Sequence, residues 1–389
     1  MNKASSTQLR LVFAHDGTSP YDSFFLKRLS SQFQTYLLTF TTPANVPDGT
    51  RTVRLSDFGK PSRIRKLDKL RIAVGTFWRI VQFRVCLGSL EPDIVIGNYV
   101  TTYGLYASAC RWRPFILFAY GSDVVVEPGY SPLHRWITTL IVRSADLVIV
   151  DSEVQRRAVL SLGCFPEKIV SFPWVDLNDF RKTTSDPSFR RRLGWNGKTI
   201  VVSVRNHEPQ YAVDTLIRAV PSMLKRFSNL RFLIFGTGTL SAQLIRLAHE
   251  LEVEQFVHFA GSVPRGKLLG YLKDCDIYLS TSLSDGTSAS LLEAMFLGVP
   301  VVVTSVDGNA EWISEGINGL TFEARDSDGL ARAVLRLANN PAERKQIALK
   351  AMEDIVGRVD WQRASSELVR RMRDAWAKQA RSLPQRRSS

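Results

Sequence analysis

The chain has 389 residues, of which 44% are hydrophobic. This is too long for one ordinary core and predicts two domains of about 200 residues each. No apolar run reaches 18 residues and the N-terminus lacks a signal-peptide core, so we expect neither a membrane-spanning helix nor secretion. The four cysteines have no pairing or metal-binding spacing, which predicts reduced thiols in a cytoplasmic protein.

The net charge of +14 comes from two segments. Residues 51–84 contain ten basic and two acidic residues, and residues 361–389 contain eight and two. The first segment also has apolar residues at near-helical spacing, including Phe77 and Trp78. Such a basic amphipathic helix is typical of proteins on an anionic membrane, but a packed helix with a solvated basic face has the same pattern. Nucleic acid is not expected as a partner, because no recognisable nucleic-acid-binding motif is present.

Apolar runs and helical patterns alternate along both halves of the chain, which indicates parallel sheets covered by helices. In the first half, strands are predicted at 9–14, 34–40, 93–97, 115–119 and 146–150, and helices near 20–32, 62–88, 101–112, 131–144 and 152–162. In the second half, strands are predicted at 199–204, 230–235, 255–259, 276–280 and 300–304. The predicted fold class is α/β, with two doubly wound, Rossmann-like domains.

Residues 179–197 separate the two halves and are predicted to form a linker, because they are polar, charged and without a strand pattern. The predicted domains are then an N-terminal one at 1–178 and a C-terminal one at 198–360. A final helix is predicted at 361–380, and the basic tail 381–389 is expected to be disordered.

Ligands of doubly wound sheets bind beyond the carboxyl ends of the strands, so the loops there are candidate sites. In the first half these loops contain His15 and Gly17, then Tyr120 and Asp123. Tyrosine can donate a hydrogen bond but is a poor base at neutral pH. Asp123 could contact a bound hydroxyl or cap the helix that follows it.

The corresponding loops of the second half contain a basic residue and two short polar turns. Arg205 could bind a diphosphate with two parallel hydrogen bonds, or it could form a surface ion pair. The turn at 236–238 (Gly-Thr-Gly) has room for a phosphate or a base, although a single G-x-G is weak evidence. Ser262 and Val263 follow the third predicted strand of this half.

The most informative stretch places Asp285 in a loop and Glu293 in the helix after it. The residues at the start of this helix offer N–H groups and a positive dipole end that attract phosphate: Gly286, Thr287, Ser288, Ala289 and Ser290. The two acids are up to roughly 12 Å apart along the helix axis. This arrangement suits recognition of sugar hydroxyls better than paired acid–base chemistry. Spacing alone also allows a helix cap at Asp285 and a solvated Glu293.

Residues 281–320 resemble the donor-site signature of the retaining family-4 glycosyltransferases, whose GT-B fold has two Rossmann-like domains facing across a cleft. The shared features are two acids separated by seven residues, a helix reading LLEAM, and a following G-x-PVV strand. The resemblance implies that Glu293 holds the donor's ribose, that Asp285 contacts the donor sugar, and that Arg205 stabilises the leaving nucleotide. It further implies donor contacts at Gly17, Ser262 and Val263, and an acceptor side near His15, Tyr120 and Asp123.

Four positions depart from the family pattern. The first acid is Asp285 rather than the usual glutamate, and Tyr120 stands where many members have histidine. Gln210 and Tyr211 replace a frequent lysine and glycine. The missing lysine removes one cation from the leaving-group site, so more depends on Arg205.

The sequence therefore predicts a retaining glycosyltransferase that moves a sugar from a UDP- or GDP-linked donor to a saccharide or lipid-linked saccharide, in surface polysaccharide or glycolipid synthesis. No cofactor and no metal are expected, because no His, Asp or Glu cluster has ligand spacing. The charge predicts a peripheral position on the inner face of the membrane. A non-catalytic scaffold or regulatory subunit of the same fold is an alternative. A nicotinamide-dependent oxidoreductase is disfavoured, because neither half has G-x-G-x-x-G after its first strand.

Overall fold

The structure is a computed structural model that describes residues 8–17, 20–43, 46–56, 68–173 and 175–382. The described residues form two compact units. The first contains the chain up to Phe172 and again from Gln362, and the second is Pro173–Trp361.

The first unit is built on a parallel sheet, as predicted. Its strands are β1 (Arg10–Ala14), β2 (Gln34–Thr39), β3 (Thr50–Arg54), β4 (Ile94–Asn98), β5 (Phe115–Phe118), β6 (Leu147–Val150) and β7 (Ile169–Ser171). Their order is β3-β2-β1-β4-β5-β6-β7. The sequence did not indicate β3 or β7: β3 is a half-exposed edge strand of mostly polar residues, and β7 has only three residues.

Helices cover both faces of this sheet. They are α1 (Pro20–Ser30), α2 (Asp68–Leu90), α3 (Leu105–Cys110), α4 (Ser122–Val125), α5 (Pro132–Ser144), α6 (Glu153–Ser161) and, at the end of the chain, α16 (Trp361–Ser382). A shared core joins α2, α3 and α5 to one face of the sheet through Phe83, Tyr106 and Ile141. The helix predicted at 62–88 is therefore found from Asp68, and its expected start lies outside the described residues.

The second unit repeats the architecture, which confirms the predicted fold class. Its strands are β8 (Thr199–Val204), β9 (Leu230–Phe235), β10 (Val257–Gly261), β11 (Ile277–Ser280), β12 (Val301–Thr304) and β13 (Leu320–Phe322), all parallel, in the order β10-β9-β8-β11-β12-β13. Its helices are α7 (Leu177–Arg181), α8 (Ser188–Arg192), α9 (Val213–Arg226), α10 (Ser241–Glu250), α11 (Arg265–Lys273), α12 (Ala289–Phe296), α13 (Asp307–Ala310), α14 (Ser327–Asn339) and α15 (Pro341–Arg358).

The segment predicted as a linker, 179–197, belongs instead to the second unit. Arg190 holds it in place with ion pairs to Asp274 at 2.8 Å and Asp276 at 3.0 Å. Phe189 and Trp195 are buried beside this cluster. The polar composition of the segment thus reflects paired charges on packed elements.

The final helix, α16, packs on the first unit. The Arg373 guanidinium lies 5.6 Å from the centre of the Phe33 ring, and Trp376 Nε1 donates to Asp93 at 3.2 Å. Arg371 donates to the backbone carbonyl of Glu167. Phe33, Asp93 and Glu167 all shortly precede strands, so α16 lies along the amino edge of the sheet. The helix extends into the predicted tail 381–389, and residues 383–389 lie outside the described part of the chain.

Candidate active site

Arg205 lies directly after β8 and is held in one orientation by three partners. Its Nη2 is 2.7 Å from Asp285 Oδ2 and also donates to Ser288 Oγ, while Nε donates to Ser280 Oγ at 2.9 Å. The ring of Tyr211 lies 5.5 Å below the guanidinium. The structure therefore joins Arg205, the predicted leaving-group cation, and Asp285, the predicted donor-sugar contact, in a largely buried ion pair at the carboxyl edge of the sheet.

The loop that contains Asp285 is shaped by its contact with α13. An added Cβ on Gly308 would lie 2.2 Å from the carbonyl oxygens of both Asp285 and Gly286. Only glycine permits this approach, so Gly308 fixes the position of the loop. Ser288 caps α12 by accepting from Leu291 N at 3.3 Å. The first turn of α12, with Ala289 and Ser290, therefore begins directly beside Arg205.

The Gly236-Thr237-Gly238 turn packs closely against the loop that follows β8. An added Cβ on Gly236 would meet the Arg205 carbonyl oxygen at 2.1 Å, and one on Gly238 would meet the His207 carbonyl oxygen at 2.5 Å. His207 N donates to Thr237 O at 3.0 Å. The glycines therefore let this turn pack against the loop that begins at Arg205, and they support Arg205 from behind.

Glu293 is almost completely buried on α12, not solvated. Its Oε1 lies 2.6 Å from Arg265 Nη2 at the start of α11. The Arg265 guanidinium also lies 5.2 Å from the centre of the Phe180 ring. Ser262 and Val263, which are predicted donor contacts, lie shortly before this arginine in the loop after β10. The predicted ribose ligand is thus paired with a cation that begins α11, at the end of a loop predicted to contact the donor.

Arg265 was missed by the sequence analysis. It is one of many basic residues in the chain, and 27 residues separate it from Glu293. The available signal was its position: it begins a helix shortly after a parallel strand, where ligand-binding side chains collect.

The predicted acceptor-side residues meet at the carboxyl edge of the first sheet. The rings of His15 and Tyr120 stack, with centroids 5.2 Å apart and planes 13° apart. Gly17 N donates to His15 Nδ1 at 3.0 Å, and Asp16 Oδ1 lies 3.3 Å from the same ring nitrogen. Gly17 has a φ of +69°, and an added Cβ would clash with Pro43. His15 and Gly17 therefore form one tight turn beside Tyr120.

Asp123 lies in the same cluster, but its carboxylate is fully buried. It accepts hydrogen bonds from the backbone N–H groups of Val100 at 2.8 Å, Tyr120 at 3.0 Å and Gly121 at 2.9 Å. Burial raises the pKa of this carboxyl to about 6, although the backbone donors oppose the shift. Asp123 therefore braces the loops after β4 and β5, and its predicted contact with an acceptor is corrected to a positioning role.

Glu127 is a partly exposed acid at this edge that the sequence did not indicate. It accepts from Tyr99 Oη at 2.5 Å and from Thr101 Oγ1 at 2.7 Å. Burial and this hydrogen bond raise the pKa of Tyr99 above its usual value. Tyr99 and Thr101 follow β4, and ligands of such sheets bind beyond the carboxyl ends of the strands. Together with Tyr120 and His15, these two residues make an edge of aromatic rings and hydroxyls around a half-buried carboxylate.

Two family models match the chain. The model of the glycosyl transferases group 1 matches residues 185–354, and that of the glycosyl transferase 4-like domain matches residues 24–174. Together they span most of both units. The chain belongs to the family-4-like glycosyltransferases.

Named relatives of this chain are found in archaea and bacteria. An uncharacterised glycosyltransferase of Methanocaldococcus jannaschii is 30% identical over 57% of this chain and 58% of its own length. The D-inositol 3-phosphate glycosyltransferase of Kribbella flavida is 28% identical over 60% of this chain and 57% of its own length. The chain thus spans little more than half the length of these relatives.

Solved structures share the fold of this chain. HepE of Anabaena, in complex with UDP and glucose, has a TM-score of 0.73 at 18% identity, and covers 96% of this chain and all of its own. Sucrose-phosphate synthase of Thermosynechococcus elongatus has a TM-score of 0.79 at 18% identity, over 95% of this chain and all of its own. The fold is therefore GT-B.

None of the helices among the described residues is long and apolar enough to cross a membrane. The same residues contain no group of three or more His, Cys, Asp or Glu side chains that could hold a metal ion. Metal-independent transfer stays a prediction.

Proposed function

We propose that this protein is a retaining glycosyltransferase whose second unit binds a UDP- or GDP-linked sugar. The observation that carries the proposal is the arrangement around α12: Arg205 and Asp285 lie at its N-terminus, and Glu293 and Arg265 lie little more than a turn further along. A cation beside a helix N-terminus suits a diphosphate, and buried carboxylates suit sugar hydroxyls.

The Arg205–Asp285 ion pair suggests how donor binding prepares the site. The donor's β-phosphate oxygens compete with Asp285 for the guanidinium, because Arg205 binds phosphate and carboxylate with the same forked geometry. Asp285 is then available to accept hydrogen bonds from the donor sugar. Ser280 and Ser288 keep the guanidinium in place throughout.

The transfer step exchanges one bond of the anomeric carbon for another. The bond from this carbon to the β-phosphate oxygen breaks, and its electron pair stays on that oxygen, where Arg205 and the N–H groups of α12 stabilise the developing charge. The acceptor hydroxyl oxygen attacks on the same face. Its proton passes to the departing phosphate oxygen, which is the nearest base on that face. No metal takes part in this proposed step, and configuration is retained.

The acceptor in this proposal is a saccharide or a lipid-linked saccharide held by the first unit. Hydroxyls and aromatic faces recognise sugars, and the Tyr99–Glu127 pair beside the stacked Tyr120 and His15 offers both. The basic helix α2 places the enzyme on an anionic membrane, at the inner face of which a lipid-linked acceptor would lie.

A donor panel with purified protein tests this proposal. We expect calorimetry to detect binding of one UDP- or GDP-sugar, unchanged by EDTA, and NMR to show the product's anomeric configuration equal to the donor's. Inversion of configuration would contradict the retaining mechanism. Binding without transfer or hydrolysis, with every acceptor offered, would instead support the non-catalytic scaffold.

A further inference from the structure

Two stripes of large apolar side chains are exposed on the first unit. The α2 stripe contains Phe77, Trp78 and Val85, and the α5 stripe contains Leu133, Trp136 and Leu140; these six side chains are between 49% and 69% exposed. Within α5 the spacing of three and then four residues places them on one side of the helix. Soluble proteins rarely expose such contiguous apolar surface unless it binds a partner.

Both stripes point away from the same face of the sheet. The opposite sides of the two helices, with Phe83 and Leu87 on α2 and Ile141 and Val142 on α5, are buried in one core against that face. Short contacts through α3 connect the two helices: Ser108 Oγ lies 2.9 Å from Ser144 Oγ, and Arg84 Nη1 donates to Cys110 O at 3.2 Å. The stripes therefore belong to one outer layer.

The charge of the two helices is predominantly positive. The sequences of α2 and α5 contain six lysine and arginine residues and a single acid, Asp68. Two exposed arginines adjoin the stripes directly, since Arg84 precedes Val85 and Arg135 precedes Trp136. Aromatic and aliphatic side chains interleaved with cations match a bilayer surface, which offers an apolar interior below anionic headgroups.

We propose that the outer surface of α2 and α5 docks on an anionic phospholipid bilayer, with both stripes inserted at the level of the headgroups. A second copy of this chain is a poorer occupant, because a two-fold interface would set the patch against itself and bring like charges together. The docking rests on the first unit alone, and it deepens the proposed function by holding the enzyme where lipid-linked acceptors lie.

Vesicle flotation of the full chain tests the docking. We expect it to bind vesicles of phosphatidylcholine with 30% phosphatidylglycerol at least tenfold more tightly than vesicles of phosphatidylcholine alone, because each cation near an anionic surface contributes about 1 kcal/mol. The substitution Arg135→Gln should weaken binding to the anionic vesicles by roughly fivefold, which is that contribution expressed as a ratio. Equal binding to the two kinds of vesicle would overturn the proposal.

A matched pair of double variants tests the apolar stripes. Leu133→Ser with Leu140→Ser removes two exposed side chains seven residues apart on α5, and should weaken binding to anionic vesicles at least tenfold. The control, Leu349→Ser with Val356→Ser, removes two similarly exposed side chains seven residues apart on α15 of the second unit, and should leave binding unchanged.

Two results would overturn the stripe assignment. One is equal loss of vesicle binding in both double variants. The other is a sedimentation result in which the wild type is a dimer and the α5 double variant is a monomer that still binds vesicles. Nucleotide-sugar calorimetry on the same proteins separates this proposal from the transferase proposal. Binding to vesicles without binding to any donor would support the docking surface and contradict the transferase. Binding to a donor without binding to vesicles would support the transferase and contradict the docking surface.

Discussion

The two units place different chemistry on the same kind of sheet edge. In the second unit, largely buried carboxylates are paired with arginines, Asp285 with Arg205 and Glu293 with Arg265. In the first unit, Glu127 is held by the hydroxyls of Tyr99 and Thr101. Cations suit an anionic leaving group, whereas hydroxyls and rings suit a neutral saccharide. Both edges belong to the same kind of fold, but the groups that pair with their acids differ. The arginines indicate donor binding by the second unit, and the hydroxyls indicate acceptor binding by the first.

The largest expected effect comes from removing the cation of the second edge. Arg205→Ala should reduce kcat by about 10²–10³, since loss of one group that stabilises the leaving charge typically costs that much. Steady-state kinetics with the preferred donor measures the change. Arg192→Ala, which removes an arginine near Tyr271 on the same unit, serves as a control. Unchanged turnover in Arg205→Ala would remove it from the site.

Two substitutions of Glu293, which pairs with Arg265, should separate its effect on protein stability from its effect on donor binding. Glu293→Ala leaves Arg265 without its carboxylate and should lower the free energy of unfolding by about 3 kcal/mol. Glu293→Gln keeps the size and an acceptor oxygen, so it should unfold closer to the wild type yet bind donor about tenfold more weakly. Thermal unfolding and calorimetry measure the two quantities. If Glu293→Gln binds donor with wild-type affinity, the ribose contact is wrong.

A substitution at the carboxyl edge of the first sheet should change acceptor binding and leave donor binding unchanged. Glu127→Gln keeps the shape but weakens the hydrogen bonds to Tyr99 and Thr101 and to any sugar hydroxyl, so the KM for acceptor should rise by roughly tenfold. The donor's Kd should not change. Kinetics with acceptor as the varied substrate, beside donor calorimetry, separates the two. A shift in donor affinity with unchanged acceptor KM would contradict this division of roles.

The pH dependence of stability should reveal the buried carboxyl of Asp123. Its pKa is about 6 in the folded protein and near 4 when unfolded, so between these values the folded state binds the proton more tightly. Stability should therefore fall by about 2–3 kcal/mol as the pH rises from 4 to 6, and then level off. Calorimetric melting across this range, compared with Asp123→Asn, isolates the contribution. If the two proteins show the same slope, Asp123 is not its source.

The sequence predicted the interior of the fold better than its edges. Strands such as β8 and β12 are buried apolar runs and were found, because burial on both faces leaves a continuous signal. The edge strands β3 and β13 lack that signal: β3 is polar and exposed, and β13 has three residues. The segment 179–197 was taken for a linker because composition does not show that Arg190 pairs with acids some 85 residues away.

The candidate site shows the same limit. Arg205, Asp285 and Glu293 could be located because each lies at or near a strand end or in a recognisable motif. Their partners could not, because Arg265 and Glu127 come from other loops and gain their importance only through contacts across the edge. Asp123 shows that a residue in the expected loop can turn its carboxylate inward, towards backbone donors of its own sheet edge.

A crystal structure of the protein soaked with UDP and GDP tests the central claim most directly. We expect one nucleotide to bind at the carboxyl edge of the second sheet, with its diphosphate on Arg205 and the start of α12, and its ribose on Glu293. A nucleotide bound elsewhere, or an Arg205–Asp285 pair that stays closed at saturating ligand, would contradict it.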